Sequence, residues 1–548
     1  MIVKSRVRGS ISSTVSLLLL VVLLQMMPLA LGATELFCHL HEERGEAAEE
    51  APTFIREFLS FSESGDSVIR ISRVDLNRLF QQREGFRAGH AVYFELPAGE
   101  RLTGFVESFV EDINGTLTLR ARIEGSEFGY ILISHSEGRY LGRISIPERG
   151  EYYQLMSSRD REHYLLQIDK SRKGHIQRSG PIIPPADTSP QRMSGRREAG
   201  PDDLAVIDLM IVYTPTAYSW AEVNSGGINN TIAQAMNMAQ ITLDNSRTSI
   251  ILRLVLSRQV NHGESPNGSV ELFRIRSSPE SPWPEQHQGY QVAGYMDEIH
   301  LWRDQYGADL VAYFAFVTDC SGMAFLLQDV NGQPDYGFSL TNIQAAASSY
   351  THIHEIGHNM GAHHHIEQNF QPGSGIFYYS SGWRWTGSDG NHYCSVMTYE
   401  SSQYFSDNID HVNVPYFSNP DVLHFGVETG HPVYADNART LRETKHVVAS
   451  YRGIEDQYAP LIRNYPNPFN ETTTISFLVS EQGRVKIDIF NIKGQLVTTL
   501  LNEEIDAGMH TASWDGRDAG GRIQASGLYI YRVKDPENIR TRKMMLLK

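Results

Sequence analysis

The sequence predicts a multidomain protein: a β-rich N-terminal region, a central α/β domain and a small C-terminal Ig-like β-sandwich. Three observations predict it. Residues 34–170 alternate apolar and polar positions in short runs broken by Gly, Pro and Asn, as in AVYFELPAGERLTGFVESFVED and GTLTLRARIEG. From 204 onward, near-continuous apolar runs alternate with segments of helical periodicity. Past 463, short strand-like runs recur between turn residues. A chain of 548 residues is also too long for one hydrophobic core.

Residues 1–33 begin with Lys4, Arg6 and Arg8, continue with LLLLVVLL (17–24) and end in the small residues ALGA (30–33). That order describes a secretory signal peptide. Its apolar core is short against the roughly 20 residues a membrane span needs. The mature chain is therefore expected to be exported and to keep no transmembrane anchor. A net charge of -16 argues against nucleic acid as a partner.

Residues 34–170 hold no catalytic grouping. The stretch 171–203 is rich in Pro, Gly, Ser and basic residues and is expected to be an exposed linker, with Arg196 and Arg197 inside a zone open to cleavage. The central domain, 204–453, opens on LAVIDLMIVYTP, a run that suits a buried strand. INNTIAQAMNMAQITLDNS follows as a helix with Ile232, Ala235, Met236, Ala239 and Leu243 on one face. SIILRLVLSRQV is a second strand, YQVAGYMDEIHLWRDQYG a second helix and ADLVAYFAFV a third strand. Residues 454–462 form a short linker, and 463–548 the sandwich.

The stretch SYTHIHEIGHNMGAHHHIEQN (349–369) carries the chemistry. His354 and His358 stand four apart, so on a helix they share one face, with Glu355 beside them. Gly361 can end the helix in a left-handed turn. His364, three residues on, can then return as a third ligand. Three imidazoles with an open position make a catalytic rather than a structural zinc site. Zinc lowers the pKa of a water it holds, and Glu355 is placed to accept that water's proton. His352, His363 and His365 are left as neighbours.

The spacing His354-Glu355-x-x-His358-x-x-Gly361-x-x-His364, with Met397 in CSVMTY 33 residues later, resembles the metzincin metalloendopeptidases. HEIGHNMGAHH is most similar to the reprolysin (adamalysin-like) branch and its bacterial secreted relatives. The resemblance covers roughly 204–453. It implies a zincin-like fold, peptide-bond hydrolysis by a zinc-activated water with Glu355 as general base, and Met397 as a hydrophobic floor beneath the metal. It makes 34–170 a propeptide and the chain a zymogen. One departure is His365, where reprolysins usually place an aspartate. Tyr399 stands two residues after Met397, where astacins and serralysins carry a metal-reaching tyrosine. It is either a fifth ligand or oxyanion stabiliser, or a packed core tyrosine. The segment DCSGMAFLLQD (319–329) resembles the one that offers its edge to an extended substrate.

Three cysteines are present. Cys320 and Cys394 both fall near the cleft, and a disulfide between them is expected in an exported chain. Cys38 is then left over. A cysteine switch on zinc is one reading for it, but LFCHLHEE does not match the usual switch motif, and an incidental thiol is expected. Calcium is conceivable from the acidic composition, yet no dedicated calcium loop is visible.

NYPNPFNETTTISF, IFNIKGQLV, SWDGRDAGGR, ASGLYIYRV and the basic tail TRKMMLLK resemble the sorting domain of type IX secretion cargo. That implies a Gram-negative bacterium, the type IX machinery as a partner, and a protein released or attached at the outer-membrane surface. Protein or peptide substrates and a monomeric state complete the expectation. The competing reading is a non-catalytic exported adhesin that retains a zinc-binding domain; the intact Glu355 separates the two.

Overall fold

A computed structural model describes residues 37–44, 52–61, 68–76, 88–96, 99–169, 179–184, 200, 203–278, 286–452, 462–465, 469–479, 482–492, 494–506, 508–535 and 539–547. The expected signal peptide and the Arg196–Arg197 cleavage zone lie outside them. Cys38 lies on a described strand, with its side chain outside the description. Among the described residues, no helix is long and apolar enough to cross a membrane.

The N-terminal region closes into a nine-stranded barrel. Its strands run Phe37–Arg44, Val68–Asp75, Ala91–Glu95, Arg101–Glu111, Leu117–Ile123, Tyr130–Ser136, Arg139–Ile146, Glu151–Ser157 and His163–Ile168. Neighbours are antiparallel except at the seam, where Phe37 and Cys38 pair in parallel with Tyr93 and Phe94. Alternation fixes the inside: Val92, Phe94, Leu102, Val106, Leu119 and Ala121 belong to the barrel core. Closure leaves no free edge for aggregation.

The central domain is a five-stranded sheet in the order Ile250–Gln259, Ala205–Tyr213, Leu310–Ala315, Phe338–Asn342, Gly322–Ala324. The first four strands are parallel and the last is antiparallel, forming one edge. Both faces are covered, as a parallel sheet requires. Ile207, Leu209 and Ile211 face the helices Ile228–Asn245, Thr351–Asn359 and Asn437–Val448. Met210, Val212 and Tyr313 face Gly268–Arg276 and Glu298–Tyr306. The expected helix before the third strand is confined to Glu298–Tyr306. Another, Gly268–Arg276, was not foreseen, because all nine of its residues are buried and no polar stripe marks it. Asn267 caps it, its side chain accepting from the Val270 N–H at 3.0 Å.

The C-terminal region stacks a three-stranded sheet on a four-stranded one around Phe469, Ile475, Trp514 and Tyr531.

The barrel is docked on the central domain. Tyr130 and Leu132 leave the barrel wall to join the central core. The Tyr130 and Tyr350 hydroxyls are 2.7 Å apart, at the start of helix Thr351–Asn359. Arg143 donates to the Ser348 carbonyl, and Arg120 pairs with Asp244 at 2.5 Å. Asn230 donates to the Arg139 carbonyl at 3.1 Å. Replacing Tyr130 with phenylalanine removes one of two buried hydroxyl partners and should cost about 1 kcal/mol. The check is a lower urea midpoint for the full chain with an unchanged m-value.

Candidate metal centre

Helix Thr351–Asn359 is buried at every residue. Its start is organised by Ser349, whose hydroxyl accepts from the Thr351 N–H at 3.2 Å. Its end is set by Gly361 at φ 89°. A side chain there would be strained, and its Cβ would lie 2.5 Å from Ile376 Cγ2. The chain reverses at that glycine, and the reversal carries His364 back over the helix.

His354, His358 and His364 each offer a ligand atom, all within 4.8 Å of one another. The Nε2 atoms of His354 and His358 both lie 3.1 Å from Nε2 of His364. The Nδ1 atoms face carbonyls: Val396 at 2.7 Å from His354, Ala362 at 2.9 Å from His358, and Gln371 at 3.0 Å from His364. A carbonyl only accepts, so each Nδ1 must carry its proton. Three Nε2 lone pairs then converge on one point with no proton between them. A cation relieves that repulsion, and three neutral imidazoles are the donor set a zinc ion takes. Burial pushes His358 and His364 well below the usual imidazole pKa, with neighbouring rings adding to the effect. The residues present therefore fit a bound metal.

Of the triple His363–His365, only His364 joins His354 and His358 in the cluster. His363 packs beside the cluster, its ring 4.8 Å from that of His364; its Nδ1 accepts from the His364 N–H at 2.7 Å, and its carbonyl accepts from Asn437 at 2.9 Å. The His365 ring stacks on Trp383 at 5.7 Å, and its Nδ1 accepts from the Glu367 N–H. The reprolysin aspartate position is thus filled by a packed aromatic ring. His352 packs edge-on against Phe314.

Glu355 is 2% exposed. The edge strand passes directly over it: a Cβ on Gly322 would lie 2.5 Å from Glu355 Oε1 and 2.5 Å from Thr351 Cγ2. Gly322→Ala should displace that carboxylate and lower turnover by at least about tenfold, since small misplacements of a reacting group are costly. Zinc content should stay at the wild-type value, which separates displacement from collapse of the site.

Met397 is fully buried, and its sulfur packs against Gly357, where a Cβ would approach to 2.8 Å. The methionine lies under the helix that carries the first two ligands. The Tyr399 ring lies 4.6 Å from that of His364 and 6.1 Å from that of His354. Its hydroxyl donates to the Ser179 carbonyl at 3.1 Å.

Two expectations are corrected. Cys320 and Cys394 are both buried, and neither sulfur is in a disulfide. Cys320 sits in the core under the edge strand, next to Gly268, where burial pushes its thiol pKa up. Cys394 Sγ lies 3.8 Å from Asn413 Nδ2 on a separate three-stranded sheet. The two sulfurs belong to different packing environments, so no disulfide joins them. The linker is also not exposed throughout. Gly180, Pro181 and Pro184 are buried, and Ile182 forms a parallel bridge with Phe325 beside the edge strand. Sequence reasoning missed the role of Gln371, because a carbonyl that orients a ligand leaves no side-chain signature.

Comparison with known proteins adds to this geometry. The family described as Metallo-peptidase family M12 (Reprolysin_5) matches residues 203–412, and the FlgD Ig-like domain matches 469–537. A peptidyl-Asp metalloendopeptidase of Stenotrophomonas maltophilia strain R551-3 is 27% identical over 316 residues, which is 56% of this chain and 67% of that protein. The protein of the same name from Xanthomonas campestris pv. campestris is 26% identical over 304 residues, 55% of this chain and 66% of its own length. The crystal structure of metalloproteinase-II from Bacteroides fragilis aligns at a TM-score of 0.35 and 12% identity, over 57% of this chain and 90% of that one. The chain therefore combines a metallopeptidase domain with a C-terminal FlgD Ig-like domain.

Proposed function

We propose that this chain, a multidomain protein with a metallopeptidase domain, is a secreted zinc-dependent metalloendopeptidase made as a zymogen. The observation that carries the reading is the convergence of three proton-free Nε2 atoms beside a buried glutamate. A zinc ion held by His354, His358 and His364 would supply the Lewis acidity that polarises a scissile carbonyl and acidifies the attacking water. Glu355 takes the proton from that water and delivers it to the leaving amine. The Val396, Ala362 and Gln371 carbonyls hold the three rings in the required tautomer. Met397 packs against the helix from below. Tyr399, whose ring lies beside those of His354 and His364, would donate to a developing oxyanion once its hydroxyl is released from Ser179.

The relatives' name, peptidyl-Asp metalloendopeptidase, makes aspartate-containing peptides the first substrates to try. The amino-terminal barrel is the propeptide in this reading. The C-terminal sandwich directs export through the type IX machinery to the outer-membrane surface or beyond; support comes from the sequence pattern around NYPNPFNETTTISF and SWDGRDAGGR. The retention of Glu355 beside the three histidines favours this reading over the adhesin alternative.

The test uses the full chain after proteolytic removal of the N-terminal region. Casein and an aspartate-containing peptide should be cleaved with zinc and left intact with a chelator. Cleavage that persists after the metal is stripped would refute the metal mechanism.

A further inference from the structure

Residues Ser179–Pro184 lie in the groove that the edge strand offers to a substrate. The Ile182 N–H donates to the Ala324 carbonyl at 2.8 Å, and the Leu326 N–H donates to the Ile182 carbonyl at 2.9 Å. The segment thus adds itself as a further strand, running parallel to the edge. At its start the Ser179 hydroxyl donates to the Gly322 carbonyl, and the Ser179 carbonyl accepts from Tyr399. Gly322 is the residue whose missing Cβ leaves room for the Glu355 carboxylate. Ser179 therefore stands at the catalytic centre, between Tyr399 and the strand above the glutamate.

The fit depends on Gly180. A Cβ there would fall 1.2 Å from Gln371 Oε1, so the amide end of Gln371 takes the space a side chain would need. Gln371 is also the residue whose carbonyl orients His364. Pro181 and Pro184 have no N–H to offer on either side of the Ile182–Ile183 pair, and the ladder bonds to the edge strand are made at Ile182. Two ladder bonds make a weak strand, and it must be held by connection. That connection is to the barrel, whose last strand ends at Ile168, with ten residues between it and Ser179. The barrel is itself fastened through the Tyr130–Tyr350, Arg143–Ser348 and Arg120–Asp244 contacts.

We infer that Ser179–Pro184 is a self-inhibitory strand tethered by the docked barrel, and that a cut between 185 and 203 alone does not activate the enzyme. This rests on the peptidase reading above. A cut after Pro184 leaves the strand joined to the barrel at an effective concentration on the order of millimolar, which a dilute substrate cannot match. Activation needs a second event that removes the barrel or cuts on the barrel side of Ser179. The inhibition uses main chain and steric fit, with no side-chain ligand presented to the metal by the described segment.

The experiment uses the full zinc-loaded chain with a site-specific protease sequence placed within 190–199. Two further versions carry Ile182→Pro, which removes the one N–H of the ladder, or Gly180→Leu, which cannot fit beside Gln371. Peptide cleavage, co-elution of the barrel and hydrogen exchange at the Leu326 amide are read before and after the cut. The nicked wild type should keep its barrel, protect Leu326 and stay about a hundredfold below the activity reached after the barrel is stripped. Both variants should exchange Leu326 faster and be active without stripping. Full activity in nicked wild type with the barrel still bound overturns the inference. So do variants that stay inactive with Leu326 protected. Faster Leu326 exchange with no cleavage in any form, stripped wild type included, overturns the peptidase reading and the inhibitory role with it, while the seating of the strand stands.

Discussion

If Glu355 is the base proposed above, replacing it with alanine should lower peptide hydrolysis by about 10²–10⁴-fold while one zinc per chain is retained. The residue is buried beside the ligands and is not one of them, since the three Nε2 atoms converge without it. In the proposed mechanism removing it takes away the proton acceptor, while the three rings keep their carbonyl partners. The loss should appear in kcat, with KM little changed, because the edge proposed to take an extended peptide is the backbone of Gly322–Ala324. Glu355→Gln keeps shape and removes basicity, so it should be nearly as inactive as the alanine variant. A glutamine variant that hydrolyses peptide at the wild-type rate would place the base elsewhere. Zinc lost together with activity would make Glu355 a structural support of the site.

The meeting of His354, His358 and His364 was legible because its determinants are local. Helical spacing places His354 and His358, and the left-handed requirement at Gly361 places His364; neither depends on distant chain. The strand at 179–184 was not legible for the opposite reason. Its Gly and Pro content reads as a turn-rich exposed linker, and what buries it is Gln371 and the edge strand, more than a hundred residues away in sequence. Helix Gly268–Arg276 was hidden by being buried on all sides, which erases the periodicity that reveals a helix. The expected disulfide failed because nearness to one cleft in sequence order does not fix which side of a sheet a sulfur occupies. The β-rich character of 34–170 was clear from alternation. Its closure was not, because the parallel seam between Phe37–Cys38 and Tyr93–Phe94 joins strands separated by a helix and another strand.

Among the three consecutive histidines, only His364→Ala should abolish zinc uptake. Its Nε2 faces those of His354 and His358, and its Nδ1 is fixed by Gln371. Without it two imidazoles remain, too few for a catalytic zinc site. His363→Ala removes the acceptor for the His364 N–H, at a cost of about 1–3 kcal/mol, and leaves the ligand atoms unchanged. His365→Ala removes a ring stacked on Trp383 and touches none of the three Nε2 atoms. Both of these variants should bind one zinc. The same contrast should appear in thermal stability. Free zinc at about a thousand times its Kd stabilises the folded form by about 4 kcal/mol, which for a domain of this size shifts Tm by on the order of 10 °C. Wild type, His363→Ala and His365→Ala should lose that increment when a chelator is added. His364→Ala should melt at one temperature with or without chelator, since it has no bound ion to lose. Zinc kept by His364→Ala and lost by His363→Ala would move the third ligand to the neighbouring ring, and with it the register of the turn at Gly361.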